Sequence, residues 1–142
     1  MEVSDVRRRL RGAIENARHA AAGRRVRSDG AARAYEELLA QRAVPLFHQV
    51  ASALVAEGHM FKVFTPAGSV RLASERTPDE FIELTLDGSS DPPQVVGRSS
   101  RGRGRRLMTS ERPVREGAPV AELTEDDLLS FLLEELVPLL ER

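Results

Sequence analysis

The sequence predicts an α+β protein, in which two N-terminal helices precede an antiparallel meander of about five strands and a hydrophobic helix closes the chain. Two patterns lead to this prediction. Apolar residues recur at helical spacing before residue 58 and after residue 124, but alternate with polar residues in between. The alternating runs are short and closely spaced, which favours antiparallel hairpins because parallel strands need long crossover connections.

The size of the chain limits how many units it can form. Its 142 residues, 41% of them hydrophobic, suit a single folded domain. We divide this domain into three regions. Residues 1–58 are predicted to form a helical hairpin suited to dimerisation, residues 59–116 a meander with an arginine-rich hairpin, and residues 117–142 a linker with the last helix.

Composition excludes several classes of protein. The chain has no cysteine, so disulfides, thiolate metal sites and cysteine nucleophiles are excluded. No run approaches the ~20 apolar residues that a membrane span needs, and the arginine-rich N-terminal region lacks the apolar core of a signal peptide. We therefore expect a cytoplasmic protein without a membrane partner.

The first predicted helix covers residues 3–23 and ends at Gly23. Small and apolar side chains recur along it with alternating spacings of three and four, which is a short heptad seam. The seam consists of Val3, Val6, Leu10, Ala13, Ala17 and Ala20. It either packs on a neighbouring helix of the same chain or is shared between two copies of the chain.

A second helix is predicted from a cap at Ser28 or Asp29 to a stop at Gly58. Its apolar stripe runs from Tyr35 to Leu54 at helical spacing. Pro45 removes one backbone donor in the middle of this stripe and crowds the preceding turn. We expect a kink there rather than a break.

The central region is predicted to form strands joined by short turns. The alternation is clearest at Phe81–Asp87, where Ile82, Leu84 and Leu86 point to one side. The predicted strands are Met60–Thr65, Val70–Ser74, Phe81–Asp87, Gln94–Arg98 and Arg106–Arg112. A loop over Ser99–Arg105 is expected to join the last two.

The last predicted helix begins at Thr124, which forms an approximate capping box with Asp127. Its leucines wrap around more than one face, whereas a surface helix needs only one apolar stripe. We therefore expect self-association as a two-fold dimer, with the last helix and the first seam at the interface. The predicted interface residues are Val6, Leu10, Leu128, Leu132 and Leu136.

Charge is strongly segregated along the chain, although the net charge is only −1. Residues 1–50 carry a net +4, residues 51–96 a net −4, residues 97–116 a net +5 and residues 117–142 a net −6. Such blocks can bind one another, within a chain or between chains, and can equally bind partners of opposite charge.

Two arginine clusters are the candidate anion-binding or partner-binding sites. Arginine binds phosphate or carboxylate in a bidentate manner, and glycines beside it let a backbone approach closely. The first cluster consists of Arg98, Arg101, Arg103, Arg105 and Arg106, and the second of Arg7, Arg8 and Arg11, next to Arg9. Either cluster could grip nucleic-acid phosphates, or could simply be solvated or docked on acidic residues.

Motifs for catalysis are weak. Asp79, followed by Glu83 and Thr85, is similar to the Asp…Glu-x-Lys core of restriction-type nucleases, whose carboxylates hold a divalent metal. Thr85 stands where that core has lysine, so a metal-dependent nuclease is a remote alternative. No cofactor or metal site is expected. The sequence instead predicts a non-catalytic interaction protein that forms a homodimer and docks on a protein partner, with nucleic-acid binding as the alternative.

Overall fold

A computed structural model describes residues 1–141. The chain forms an α+β fold whose five strands make one antiparallel sheet in the order β1-β2-β3-β4-β5, so the predicted fold class and meander are confirmed. The elements are α1 (Val3–Leu38), a π-helical turn (Leu39–Ala43), α2 (Val44–Ala56), β1 (Phe61–Phe64), β2 (Val70–Ser74), β3 (Phe81–Asp87), β4 (Gln94–Arg103), β5 (Arg106–Pro113), a 3₁₀ turn (Val120–Glu122) and α3 (Glu125–Leu140).

The two predicted N-terminal helices are one continuous helix from Val3 to Ala56, so the predicted helical hairpin was wrong. Glycine costs a helix only about 1 kcal/mol relative to alanine. The cost at Gly23 and Gly30 is offset by the strong helix formers around them. The left-handed backbone that ends the helix occurs instead at Gly58, where φ is +89°.

The helix runs through Pro45 without a break, as predicted, because a π-helical turn precedes the proline. In this wider turn the backbone N–H of Val44 donates to the carbonyl of Leu39, five residues earlier. A widened turn relieves the clash that a proline ring makes with the preceding turn of an α-helix.

Both helical layers pack against one face of the sheet. This face carries Val70, Leu72, Ile82, Leu84 and Val95, each at most 2% exposed. Their helical partners include Phe47 of α2 and Leu128, Phe131 and Leu132 of α3. A Cβ atom at Gly97 of β4 would lie 1.9 Å from the Phe131 ring, so the glycine creates the space in which α3 sits on the sheet.

The arginine-rich segment forms a hairpin of paired strands with a two-residue turn, where the sequence predicts a longer loop. Strand β4 continues to Arg103, and its last pair with β5 is Arg103 with Arg106. Only Gly104 and Arg105 are left in the turn. Gly104 has φ of +65°, the conformation that a type II′ turn requires at its first central residue. The predicted loop over Ser99–Arg105 was therefore wrong, because pairing with β5 extends a strand that its own residues do not favour.

Helix α3 begins at the predicted cap, where Thr124 and Asp127 form a reciprocal capping box. It continues through Pro138 to Leu140. Leu128, Leu132 and Leu136 are at most 3% exposed and are enclosed by the chain itself. The large apolar side chains that α3 leaves in solvent are Leu133 and Val137, at 53% and 51% exposure.

Within residues 1–141, no helix combines the length and the apolar character needed to cross a membrane.

Candidate interaction surfaces

Arg98, one of the predicted anion-binding residues, is held in an ionic row on the sheet face opposite the helices. Strand register places Arg71, Glu83 and Arg98 side by side on β2, β3 and β4. Glu83 accepts hydrogen bonds from Arg71 at 2.9 Å and from Arg98 at 3.3 Å. The Glu83 side chain is only 8% exposed, so its charge is neutralised mainly by these two guanidinium groups.

The same two arginines also cover an aromatic ring. The guanidinium carbons of Arg71 and Arg98 lie 4.0 Å and 5.5 Å from the centre of the Phe81 ring. Such cation–π contacts add to the ionic row and fix the arginine side chains in place. The cluster explains the burial of Glu83, and it engages Arg98 in contacts within the chain although the Arg98 side chain is 46% exposed.

The arrangement does not bring a nuclease-like metal site together. Both carboxylate oxygens of Glu83 accept from arginine, and Asp79 lies in the exposed turn before β3. Over residues 1–141, no group of three or more histidine, aspartate or glutamate side chains is placed to hold a metal ion.

The remaining arginines of the predicted cluster lie at the end of the β4–β5 hairpin. Arg101, Arg103, Arg105 and Arg106 form no ion pair with any described residue, in contrast to the arginines of the ionic row. Arg103 and Arg106 are directly opposite across the strands. Like charges in this position repel each other, so the hairpin tip is a basic surface whose arginines have no ionic partner among the described residues.

The first part of α1 projects from the rest of the molecule. Every residue from 6 to 20 is exposed, although Val6, Leu10 and Ile14 carry large apolar side chains. We call residues 3–20 the projecting segment; at 1.5 Å per residue it is about 27 Å long. Its apolar stripe continues, on the same helix, the face that Tyr35 and Leu38 bury in the core.

The predicted N-terminal cluster lies on this segment. Arg8 pairs with Asp5 at 2.8 Å, and both side chains are exposed, so the pair contributes little. Arg7 and Arg11 have no ionic partner among residues 1–141. They border the apolar stripe, because Arg7 is three residues before Leu10 and Arg11 is three residues before Ile14.

An ion pair links α1 to one end of the sheet. Helix α1 passes the β3–β4 loop, where Arg27 makes a bidentate contact with Asp91 at 2.8 Å. This hydrogen bond lowers the pKa of Asp91. The hairpin tip is at the far end of β4 from that loop.

Arginines that sequence reasoning did not single out hold α3 in place. Arg112 on β5 donates to Glu134 and Glu135 of α3, both at 2.7 Å, and its guanidinium carbon is 4.5 Å from the Phe131 ring centre. Arg115 pairs with Asp127 at 3.0 Å. The hydrogen bond from the Thr124 backbone, with the nearby Arg115, holds the pKa of Asp127 below its usual value. Charge segregation was the only sequence signal for these contacts.

The outer face of α3 is an apolar surface with acidic residues beside it. Leu133 and Val137 are its most exposed apolar side chains, and Leu129 and Leu140 flank them at partial burial. Asp126 and Glu141, next to this stripe, have no ionic partner in the described part of the chain. Sequence reasoning missed which leucines face outwards because the helix is apolar on nearly all sides.

Comparison of the chain with protein-family models, with curated proteins and with solved structures found no match.

Proposed function

We propose that this chain is a non-catalytic accessory protein that self-associates and docks on partners through its helices. The observation that carries the proposal is the projecting segment, whose apolar side chains Val6 and Leu10 are 49% and 58% exposed. No other part of the described chain covers them. Large apolar side chains aligned on one exposed helix face are typical of an interaction surface.

The energetics of a single helix support this proposal. Isolated helices of about 15 residues are only marginally stable in water, and in proteins most helix stability comes from packing of an apolar face. The projecting segment has no such packing within its own chain. Contact with a second molecule would supply it, and would hide the exposed stripe at the same time.

Self-association is tested by light scattering coupled to size exclusion, over a range of concentrations of the full chain. We expect a dimer that Val6→Glu and Leu10→Glu, made together, convert to a monomer. The control carries the same charge change on the opposite face of the segment, at Ser4→Glu and His19→Glu, and we expect it to remain dimeric. A wild-type chain that stays monomeric at high micromolar concentration would contradict the proposal.

A second candidate function is binding to nucleic-acid phosphates through the hairpin tip. It is favoured by one observation, that Arg101, Arg103, Arg105 and Arg106 are all without an ionic partner among the described residues. No aromatic side chain lies in β5 or the turn to stack on bases. The contact would therefore read phosphate charge and not sequence.

This candidate is tested by titrating duplex DNA and RNA at several salt concentrations. Replacing the four tip arginines with alanine should strongly weaken binding at low salt. It should also remove about 3 from the slope of log affinity against log salt, since each phosphate contact contributes about 0.7 to 0.9. Alanine at four other exposed arginines, Arg25, Arg33, Arg42 and Arg76, is the charge-matched control. Equal losses in the two variants would mean that net charge alone is responsible.

A further inference from the structure

We propose that the projecting segment of one copy docks on the outer face of α3 in a second copy, and that the second copy returns the same contact. The interface would then contain two α1–α3 helix pairs related by a two-fold axis. The inference rests on the proposed self-association and names the surface that receives the segment.

The two helices are similar in length, and their apolar side chains have similar spacing. Helix α3 has 16 residues and is about 24 Å long, close to the length of the projecting segment. Leu129, Leu133, Val137 and Leu140 recur at intervals of three and four, which places them in one stripe. The segment presents the same spacing from Val3 through Leu10 to Ala17.

The two surfaces are opposite in charge. Residues 125–141 contain six acidic side chains and no basic one, and arginines of the same chain pair with three of these acids. Asp126 and Glu141 border the α3 stripe and have no ionic partner among the described residues. Arg7 and Arg11 border the stripe of the projecting segment and likewise have no ionic partner there. Charge complementarity of this kind selects the partner and fixes its orientation.

The charge pattern disfavours pairing of two projecting segments with each other. Arg7, Arg11 and Arg18 line one flank of the stripe, since they are separated by four and seven residues. In an antiparallel pair of these helices, that flank would face its own copy and place arginine near arginine. Docking on α3 places this arginine flank along a helix whose two ends carry the carboxylates Asp126 and Glu141, unpaired among the described residues.

The segment cannot reach the α3 of its own chain. Helix α1 is unbroken from Val3 to Leu38, with no turn that would let its first part fold back. Only another molecule can cover the stripe. A reciprocal arrangement covers both the segment and α3 in each copy, so it closes as a dimer and leaves neither surface to recruit a third copy.

The first experiment measures the dimer dissociation constant by sedimentation equilibrium of the full chain. Leu133→Glu and Val137→Glu, made together, should raise this constant by roughly tenfold or more, because charges would enter an apolar contact. The matched control is Leu107→Glu with Val55→Glu, at side chains 56% and 44% exposed on β5 and α2. The control should dissociate like the wild type.

The second experiment exchanges the charges. One variant carries Arg7→Glu and Arg11→Glu, and the other carries Asp126→Arg and Glu141→Arg. Each alone should be monomeric, because it places like charges in both helix pairs. Mixed in equal amounts, they should form a heterodimer, since both of its helix pairs then join opposite charges. Circular dichroism of each variant checks that the fold is retained.

The outcomes separate this inference from the proposed function. A dimer that survives both α3 variants but is lost with Val6→Glu and Leu10→Glu would overturn docking on α3 and keep self-association. If the variant with Asp126→Arg and Glu141→Arg remains a dimer without the other variant, the projecting segments pair with each other. This result also overturns the inference. A wild-type monomer would overturn both proposals.

Discussion

The two halves of α1 share one helical periodicity but have different surroundings. In the embedded half, Tyr35 and Leu38 are 5% and 7% exposed and pack in the core, whereas Val6 and Leu10 in the projecting half lie in solvent. The boundary between the halves is the contact of Arg27 with Asp91. An apolar stripe on a helix therefore indicates a packing surface. It does not show whether the same chain or another molecule packs against it.

The largest expected difference between the halves is in the cost of removing a leucine. Leu38→Ala should lower the free energy of unfolding by about 2–5 kcal/mol, because it leaves a cavity in the core. The same substitution at Leu10 should change it by less than about 0.5 kcal/mol, since that side chain is exposed. Urea denaturation at dilute protein concentration measures both. Equal costs would mean that the projecting half belongs to the core.

A smaller effect is expected from Tyr35, which anchors the embedded half by donating a hydrogen bond to the carbonyl of Gly68 at 2.7 Å. Burial, with the nearby charge of Glu83, raises the pKa of Tyr35 to about 12. The unfolded chain ionises near pH 10. The contribution of Tyr35 to the free energy of unfolding is therefore fully present below pH 10 and is lost as pH rises through 12, by about 3 kcal/mol at most.

The pH dependence of unfolding in the wild type and in Tyr35→Phe checks this prediction. Tyr35 is the only tyrosine and the chain has no tryptophan, so phenolate absorbance reports its ionisation directly. The phenylalanine variant should lose less stability over this interval. A parallel loss in both proteins would assign the effect to other groups.

The smallest effect is expected at the boundary itself. Asp91→Asn weakens an exposed contact, so amides in residues 21–28 should exchange hydrogen faster while those of α2 are unchanged. The pKa of Asp91 is lowered in the folded chain. The contact therefore stabilises the fold above the ordinary carboxyl pKa and is lost as pH falls through the lowered value. Asp29→Asn, at an exposed carboxylate on the same helix, is the control and should leave exchange unaltered.

Several elements could be predicted from the sequence because local and tertiary forces agree there. Strand β3 alternates over its whole length, and its bounds Phe81–Asp87 are confirmed. The start of α3 is confirmed because the capping box at Thr124 satisfies free backbone groups within a few residues. Gly58 lies just beyond α2 because only glycine adopts its backbone conformation without strain.

Other features depend on contacts between distant residues. Helix α1 continues across Gly23 and Gly30 because the free-energy cost of two glycines is small. The favourable helix propensities of the many residues around them outweigh it. The extension of β4 to Arg103 is imposed by its pairing with β5. The orientation of α3 is decided by the fit of Phe131 over Gly97, which no periodicity in a nearly all-apolar helix reveals.

Hydrogen exchange of the wild-type chain at two protein concentrations tests whether a second molecule covers the projecting segment. At a concentration that populates the dimer, amides of residues 3–20 should be protected. On dilution below the dissociation constant, that protection should fall, while residues 44–56 keep theirs. Protection of residues 3–20 that is the same at every concentration would show that self-association does not cover the segment.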